Sequence, residues 1–366
     1  MRNSAAINPD LRIFQRRRAL LALALLALGP AGSRVCAQAD FGAVRARADQ
    51  GDPEAMNALG NAYANGQGVP QNLPEALRYY KQAADRGLAT AQFNLGMMYE
   101  LGRGVAPNIA TAFTYYLKAA EQGFAPAQFN VGNMYANGIG VKQDYFEAAL
   151  WFRQAADRAV PEAQYNLALA YELGRGVAKD EAAALRWYRA AAAQRYARAQ
   201  YNLALMLEEG RGAAADPPAA IEFYRAAAAQ NFAPAQNNLG ILLAEGRGGP
   251  ANIVEAYTWL ALAVENGAKP TGRDLVAQQL SSGQLAEANI GVAKLRAQLG
   301  VRESAPARPE PAGQGSVVAS ASPPAASPAS PPAASPPGAA PSDTAALKAR
   351  LAAAQSDLEK FRVENA

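Results

Sequence analysis

Residues 91–105, AQFNLGMMYELGRGV, and residues 109–123, IATAFTYYLKAAEQG, decide the fold of this 366-residue chain. Both segments space apolar side chains three and four residues apart, which gathers them on one face of an α-helix. Gly102 and Gly104, near the end of the first segment, separate its apolar stripe from that of the second. Glycine supplies the positive φ that a helix ending and a tight turn require. One unit therefore reads as two antiparallel helices joined by a turn.

The unit recurs. Equivalent starts fall at Gly51, Gly87, Gly123, Ala159, Arg195 and Asn231, with a seventh at Gly267, each 36 residues after the last. A strict period of this length marks a stack of supersecondary units. Small residues at Ala55, Ala91, Ala127, Ala163, Ala199 and Ala235 mark the close crossing of the two helices. Four residues on, Leu59, Leu95, Val131, Leu167, Leu203 and Leu239 continue the stripe, and Tyr63, Tyr99, Tyr135, Tyr171, Leu207 and Leu243 complete it. On the second helix the expected large knobs are Tyr79, Tyr115, Trp151, Trp187, Phe223 and Trp259. The G-x-G between the helices could be read as a phosphate cradle. It recurs in every unit and lacks the strand, lysine and longer loop of such a site, so turn residues are the better reading.

The pattern A-x-x-x-L-G-x-x-Y-x-x-G-x-G-V followed by A-x-x-x-Y-x-x-A-A-x-x-G resembles the Sel-1-like repeat, a relative of the tetratricopeptide repeat, over Gly51 to Gly267. The resemblance implies an all-α fold, a right-handed α/α superhelical solenoid of six 36-residue helix-turn-helix repeats, and a role in scaffolding protein complexes. It implies no particular partner.

The ends differ from the repeats. Residues 1–39 read as a secretory signal: Arg16 to Arg18 are a basic start, Ala19 to Leu28 an apolar run, and Ala37-Gln38-Ala39 a cleavage motif, with cleavage expected between Ala39 and Asp40. A run of about ten apolar residues is half of what a membrane-spanning helix needs, so no stable membrane span is expected after cleavage. Residues 40–50 carry Phe41, Val44 and Ala48 at helical spacing, as an N-terminal capping helix would. The six repeats are placed at 51–266 and C-terminal capping helices at 267–300, with Leu275, Val276 and Leu280 on one, Leu285, Ile290, Val292 and Leu295 on the other, and Ser281-Ser282 as the N-cap between. Residues 301–342, rich in Pro, Ala and Ser, read as a disordered linker. In 343–366, Leu347, Leu351, Ala354, Leu358 and Phe361 are spaced 4, 3, 4 and 3 apart, a short coiled-coil seam suited to self-association.

Charge and residue usage exclude several functions. The chain has a formal charge of +4, yet six of its 35 basic and one of its 31 acidic residues lie in 1–39. That leaves 29 basic against 30 acidic residues from Asp40 onward, a balance of −1. A nucleic-acid partner is not expected, because duplex binding draws on several Lys and Arg contacts to phosphate. There is no His, and Cys36, inside the leader, is the single Cys. The exported chain then lacks the residues for a usual structural zinc site, a Ser-His-Asp triad or a Cys nucleophile. No metal, no cofactor and no catalytic residue is expected.

In a solenoid of helix pairs the first helices line the concave surface, so the candidate protein- or peptide-binding residues lie opposite the core stripe. These are Phe93, Met97, Glu100, Phe129, Asn133, Tyr165, Leu169, Glu172, Tyr201, Leu205 and Glu208, with Asn61 at an equivalent position. The aromatics either bind, as rigid anchors do, or pack between repeats. A ladder of Asn94, Asn130, Asn166, Asn202 and Asn238 either bonds a peptide or satisfies groups between repeats. The reading is a non-catalytic interaction scaffold of the periplasm or cell envelope. Two alternatives stand beside it. One is β-lactam binding or hydrolysis, as in some secreted relatives that, unlike this chain, are cysteine-rich. The other is binding to peptidoglycan or another envelope glycan.

Overall fold

The structure is a computed structural model and describes residues 34–300. Residues 1–33 of the expected leader, the expected linker and the expected coiled-coil segment lie outside the described residues. Among the described residues there are 15 α-helices and no strand. After α1 (Arg34–Asp49) the repeats run α2 (Pro53–Asn65) and α3 (Leu73–Asp85), α4 (Ala89–Leu101) and α5 (Ile109–Glu121), and α6 (Ala125–Asn137) and α7 (Tyr145–Asp157). The second half continues with α8 (Pro161–Leu173) and α9 (Glu181–Ala193), α10 (Ala197–Glu209) and α11 (Pro217–Ala228), and α12 (Ala233–Glu245) and α13 (Ile253–Glu265). It closes with α14 (Thr271–Ala277) and α15 (Ser282–Leu299). The chain is thus an all-α solenoid of six helical-hairpin repeats. It divides between Gln143 and Asp144 into two compact units, α1–α6 and α7–α15.

Local chemistry sets each helix boundary. Every second helix starts on an Asn or Asp, namely Asn72, Asn108, Asp144, Asp180, Asp216 and Asn252, whose side-chain oxygen accepts from backbone N–H groups of the first turn. This satisfies donors the helix leaves orphaned. Every first helix ends on a left-handed glycine, Gly66, Gly102, Gly138, Gly174, Gly210 or Gly246, with φ between 65° and 70°. The second glycine of each turn does something else. A Cβ on Gly104 would sit 2.8 Å from the backbone of Leu73, and one on Gly176 would sit 1.9 Å from the Tyr145 carbonyl oxygen. These glycines let each turn rest on the start of the preceding repeat's second helix.

In the first unit Leu59 and Leu95 are buried while Tyr63 and Tyr99 are half-buried, stacked on Tyr79 and Tyr115 with ring centroids 5.7 and 5.8 Å apart. The deepest second-helix side chains are not the expected series. Tyr115, Trp151, Trp187 and Phe223 are only half-buried, and the fully enclosed residues are one position on, at Tyr116, Tyr188, Tyr224 and Leu260. One residue is a rotation of about 100° on a helix. Space for the inner knob comes from the facing helix, where a Cβ at Gly60, Gly96 or Gly240 would lie 2.5 to 2.8 Å from Tyr80, Tyr116 or Leu260.

Glutamines join repeats. Nε2 of Gln92, Gln128, Gln164, Gln200 and Gln236, all buried, donates to the carbonyls of Ala84, Ala120, Ala156, Ala192 and Ala228 at 3.1 to 3.3 Å. Each ties the end of a second helix to the first helix that follows.

At the ends, Phe41 meets Tyr63 edge-on and Ala48 is buried on the first repeat. Ser281 caps α15 in a capping box with Gln284. Val276, Ala288 and Val292 are buried there, but Ile290 points outward, 71% exposed. The approach to α13 is made by Ala288 and Gly291, Gly291 against Thr258, while Leu280, expected on the first capping helix, lies past the end of α14 at Ala277.

Candidate functional site

Three of the four candidate aromatics, Phe93, Tyr165 and Tyr201, sit between two other rings. Phe93 on α4 lies 5.4 Å from Tyr116 and 5.3 Å from Phe124, the residue that opens the next repeat. Tyr165 on α8 repeats this against Tyr188 and Tyr196, and Tyr201 on α10 against Tyr224 and Phe232. Phe93, Phe129 and Tyr165 are half-buried, whereas Tyr201 is buried. Ring contacts of this kind hold packed layers together.

The candidate glutamates are bound up as well. Glu100 accepts from the Tyr116 hydroxyl at 2.5 Å, Glu172 from Tyr188 at 2.5 Å and Glu208 from Tyr224 at 2.7 Å. An arginine of the next repeat completes two of the clusters: Arg211 Nη1 reaches Glu172 at 2.7 Å and Arg247 Nη1 reaches Glu208 at 2.9 Å. Asn202 and Asn238 of the ladder donate to the hydroxyls of Tyr188 and Tyr224 at 3.0 and 3.3 Å. In the first repeat, Asn61 accepts from Tyr80 at 2.7 Å, and Asn94 donates to Asn57 at 3.0 Å. Asn94, Asn202 and Asn238 of the ladder thus join neighbouring repeats.

Burial shapes the electrostatics of these clusters. Desolvation, reinforced by the neighbouring Glu172, pushes the Tyr188 phenol well above its ordinary range, and Tyr224 behaves likewise beside Glu208. Burial pushes Tyr80 up to about 12. Glu208 is raised by burial, against the pull of Tyr224 and Arg247. Such phenols stay protonated and donate, so the cluster acts as a fixed hydrogen-bonded strut between repeats.

The first-helix face therefore splits into two groups. Asn133, Glu172, Tyr201 and Leu205 are buried, which departs from a groove-facing placement because neighbouring helices and the ring sandwich enclose them. Phe93, Met97 and Glu100 in the first unit, and Tyr165 and Leu169 in the second, keep part of their surface open; Phe129 and Glu208 are also half-buried. Leu101 and Leu173, which end α4 and α8, are exposed. Neither leucine was among the candidates. In the second unit access falls along the stack, from Leu169 to the buried Leu205 to the fully enclosed Ile241.

Among the described residues no group of three or more His, Cys, Asp or Glu is placed to hold a metal ion, and no helix is long and apolar enough to cross a membrane.

Tandem hairpins linked by the same polar contacts at every step define a helical-repeat scaffold protein. A family model described as the Sel1 repeat matches residues 53–88, 89–124, 125–160, 161–196, 197–232 and 233–267, and the chain belongs to that family. Among solved structures it is similar to a Sel1 repeat protein from Oxalobacter formigenes, with 35% identity and a TM-score of 0.53 over 60% of this chain and 88% of that one. It is also similar to c5321, a protective antigen of uropathogenic Escherichia coli, with 26% identity and a TM-score of 0.31 over 71% of this chain and 72% of that one. A putative Sel1 repeat protein from Klebsiella pneumoniae shares 21% identity, with a TM-score of 0.35 over 56% of this chain and 96% of that one. No curated protein matches. Sel1-repeat proteins generally mediate protein–protein interaction and are typically non-catalytic scaffolds.

Proposed function

We propose that this chain is an exported, non-catalytic scaffold that binds a protein or peptide through the first helices of its repeats. The observation that carries this reading is the apolar surface those helices keep open after core and inter-repeat contacts are formed: Met97 and Leu101 on α4, Leu169 and Leu173 on α8. Apolar side chains half-presented from rigid helices give an anchor without an ordering cost, the condition under which small contacts contribute most to binding.

Crosslinked capture from envelope extract by the full chain, compared with a Leu169→Ser/Leu173→Ser variant, tests the binding face. These positions lie outside the ring sandwiches, so helicity by circular dichroism is expected to be unchanged. Loss of the captured protein supports the reading; undiminished specific capture would move the site off this face. Export is tested by mass spectrometry of the mature N-terminus. The reading expects Asp40 as the first residue, which keeps Phe41, Val44 and Ala48 on the chain; a retained Met1 would overturn it.

A further inference from the structure

The turn of the sixth repeat, residues 246–252, borders a hollow of about 310 Å³. Its apolar lining is Ile221 of α11 with Leu242 and Leu243 of α12; Gly249 and Ala251 line it from the turn, and Arg247, Asn252 and Glu255 supply the polar groups. Such a volume lies at the small end of ligand sites.

The other repeats show why space is left here. Leu243 stands where the first four repeats have Tyr63, Tyr99, Tyr135 and Tyr171, and Gly249 where they have Val69, Val105, Val141 and Val177, all half-buried. Ala251 stands where Gln71 and Gln143 fold back over their own turns, donating to the carbonyls of Ala64 and Ala136 at 2.9 and 2.8 Å. The fifth repeat goes part of the way, with Leu207, Ala213 and Ala215, and the sixth alone has no Cβ at the valine position. A Cβ added to Gly249 would meet nothing within 4 Å, so no neighbour has moved in to take up the room.

The third repeat shows what fills this place elsewhere. Tyr135 meets Phe113 of the preceding second helix edge-on, with ring centroids 5.4 Å apart, and these are the positions of Leu243 and Ile221. The sixth repeat therefore lacks a ring where an apolar ring packs well. The charges around the hollow are already matched: Glu255 accepts from Arg225 at 2.7 Å, and Arg247 reaches Glu208 at 2.9 Å and Glu245 at 3.4 Å. A charged occupant would give up water without gaining a free counter-charge. We propose that this hollow is a binding site for an uncharged aromatic side chain, phenylalanine or tyrosine, presented by a peptide or protein partner. The site shares no residue with the Leu169–Leu173 face and stands whether or not that face binds.

Methyl NMR of the full chain titrated with N-acetyl-L-phenylalaninamide tests this. The methyl signals of Ile221, Leu242 and Leu243 are expected to shift and saturate, with affinity at least about tenfold weaker in a Gly249→Val/Ala251→Gln variant. That variant restores the pairs Val69 with Gln71 and Val141 with Gln143, and the carbonyl of Ala244 stands where Ala64 and Ala136 accept, so the melting temperature should not fall. Ala251→Gln alone, at an exposed position, should weaken binding in the same direction and serves if the double variant folds poorly. Absence of shifts, affinity undiminished in the variants, shifts confined to Leu169 and Leu173, or equal shifts with N-acetyl-L-alaninamide would each overturn the proposal.

Discussion

A hydroxyl buried between two repeats must find partners, and Tyr188 has two: it donates to Glu172 and accepts from Asn202. Glu172 in turn holds Arg211, so one carboxylate terminates bonds from both repeats. Removing it leaves the half-buried Arg211 with Glu209 alone and the buried Tyr188 hydroxyl without its acceptor. Glu172→Ala is expected to cost about 3 kcal/mol in chemical denaturation, at the lower end for breaking a buried pair. Tyr188→Phe alone should cost about 1 kcal/mol, and combining it with Glu172→Ala should cost less than the sum. Glu208 gives the equivalent cluster of the next repeat, with Tyr224 and Arg247, a pH dependence. Its carboxyl titrates above the unfolded value because burial penalises the charge. Protonation therefore favours the folded state. The contribution is fully present below the unfolded pKa and is lost as pH rises through the folded one. Melting temperature should rise for the wild type relative to Glu208→Gln as pH falls from 7 toward 4.5; a constant difference would remove this role. The clusters were partly legible. Where Glu becomes Ala136 or Ala244, the tyrosine position becomes Phe152 or Leu260, which carry no hydroxyl; in the first repeat, where it is Ala64, Tyr80 keeps its hydroxyl and bonds Asn61 instead. Reading the face alone, without that pairing, placed the glutamates toward a groove.

At the level of the element, the two glycines of one turn have different work. Gly174 ends α8 at φ 66° with its nearest neighbour, Lys179 Cβ, 3.4 Å from an added Cβ, so Gly174→Ala costs mainly the left-handed conformation, about 1 kcal/mol. Gly176→Ala would drive a methyl into the Tyr145 carbonyl and is expected to cost about 3 kcal/mol or more. Equal losses for the two would show that the turn yields. Both glycines are plain in the sequence as turn residues, but the close approach belongs to the preceding repeat and no single unit displays it. The inner knob was missed for a related reason: Tyr79 and Tyr80, or Tyr115 and Tyr116, are adjacent aromatics, and only Gly60 or Gly96 on the facing helix tells them apart. The helix boundaries were the most legible feature, since the Asn or Asp that opens each second helix recurs every 36 residues along with the glycines.

Across the whole molecule, each repeat buries its face on a neighbour, and the last one depends on α14 and α15. Ending the chain after Gly267 exposes Thr258 and Leu260, so exchange should quicken first in α12 and α13 and spread toward α8 only near the global transition. Uniform acceleration through α7–α13 would mean that the second unit melts as one block. The fold class follows from the period alone, whereas the binding surface depends on how much each repeat encloses its own first helix, as the change from Leu169 to Leu205 to Ile241 shows.

The polar links between repeats have an evolutionary corollary. Each link runs only from one repeat to the next: Gln200 to Ala192, Asn202 to Tyr188, Arg211 to Glu172. Deleting one 36-residue period at equivalent points, for example 195–230, would hand these partners to Gln236, Asn238 and Arg247, which already make the same bonds one step further on. Recombination between tandem copies can thus shorten the gene product by a whole repeat wherever the links on either side match, as they do around 195–230.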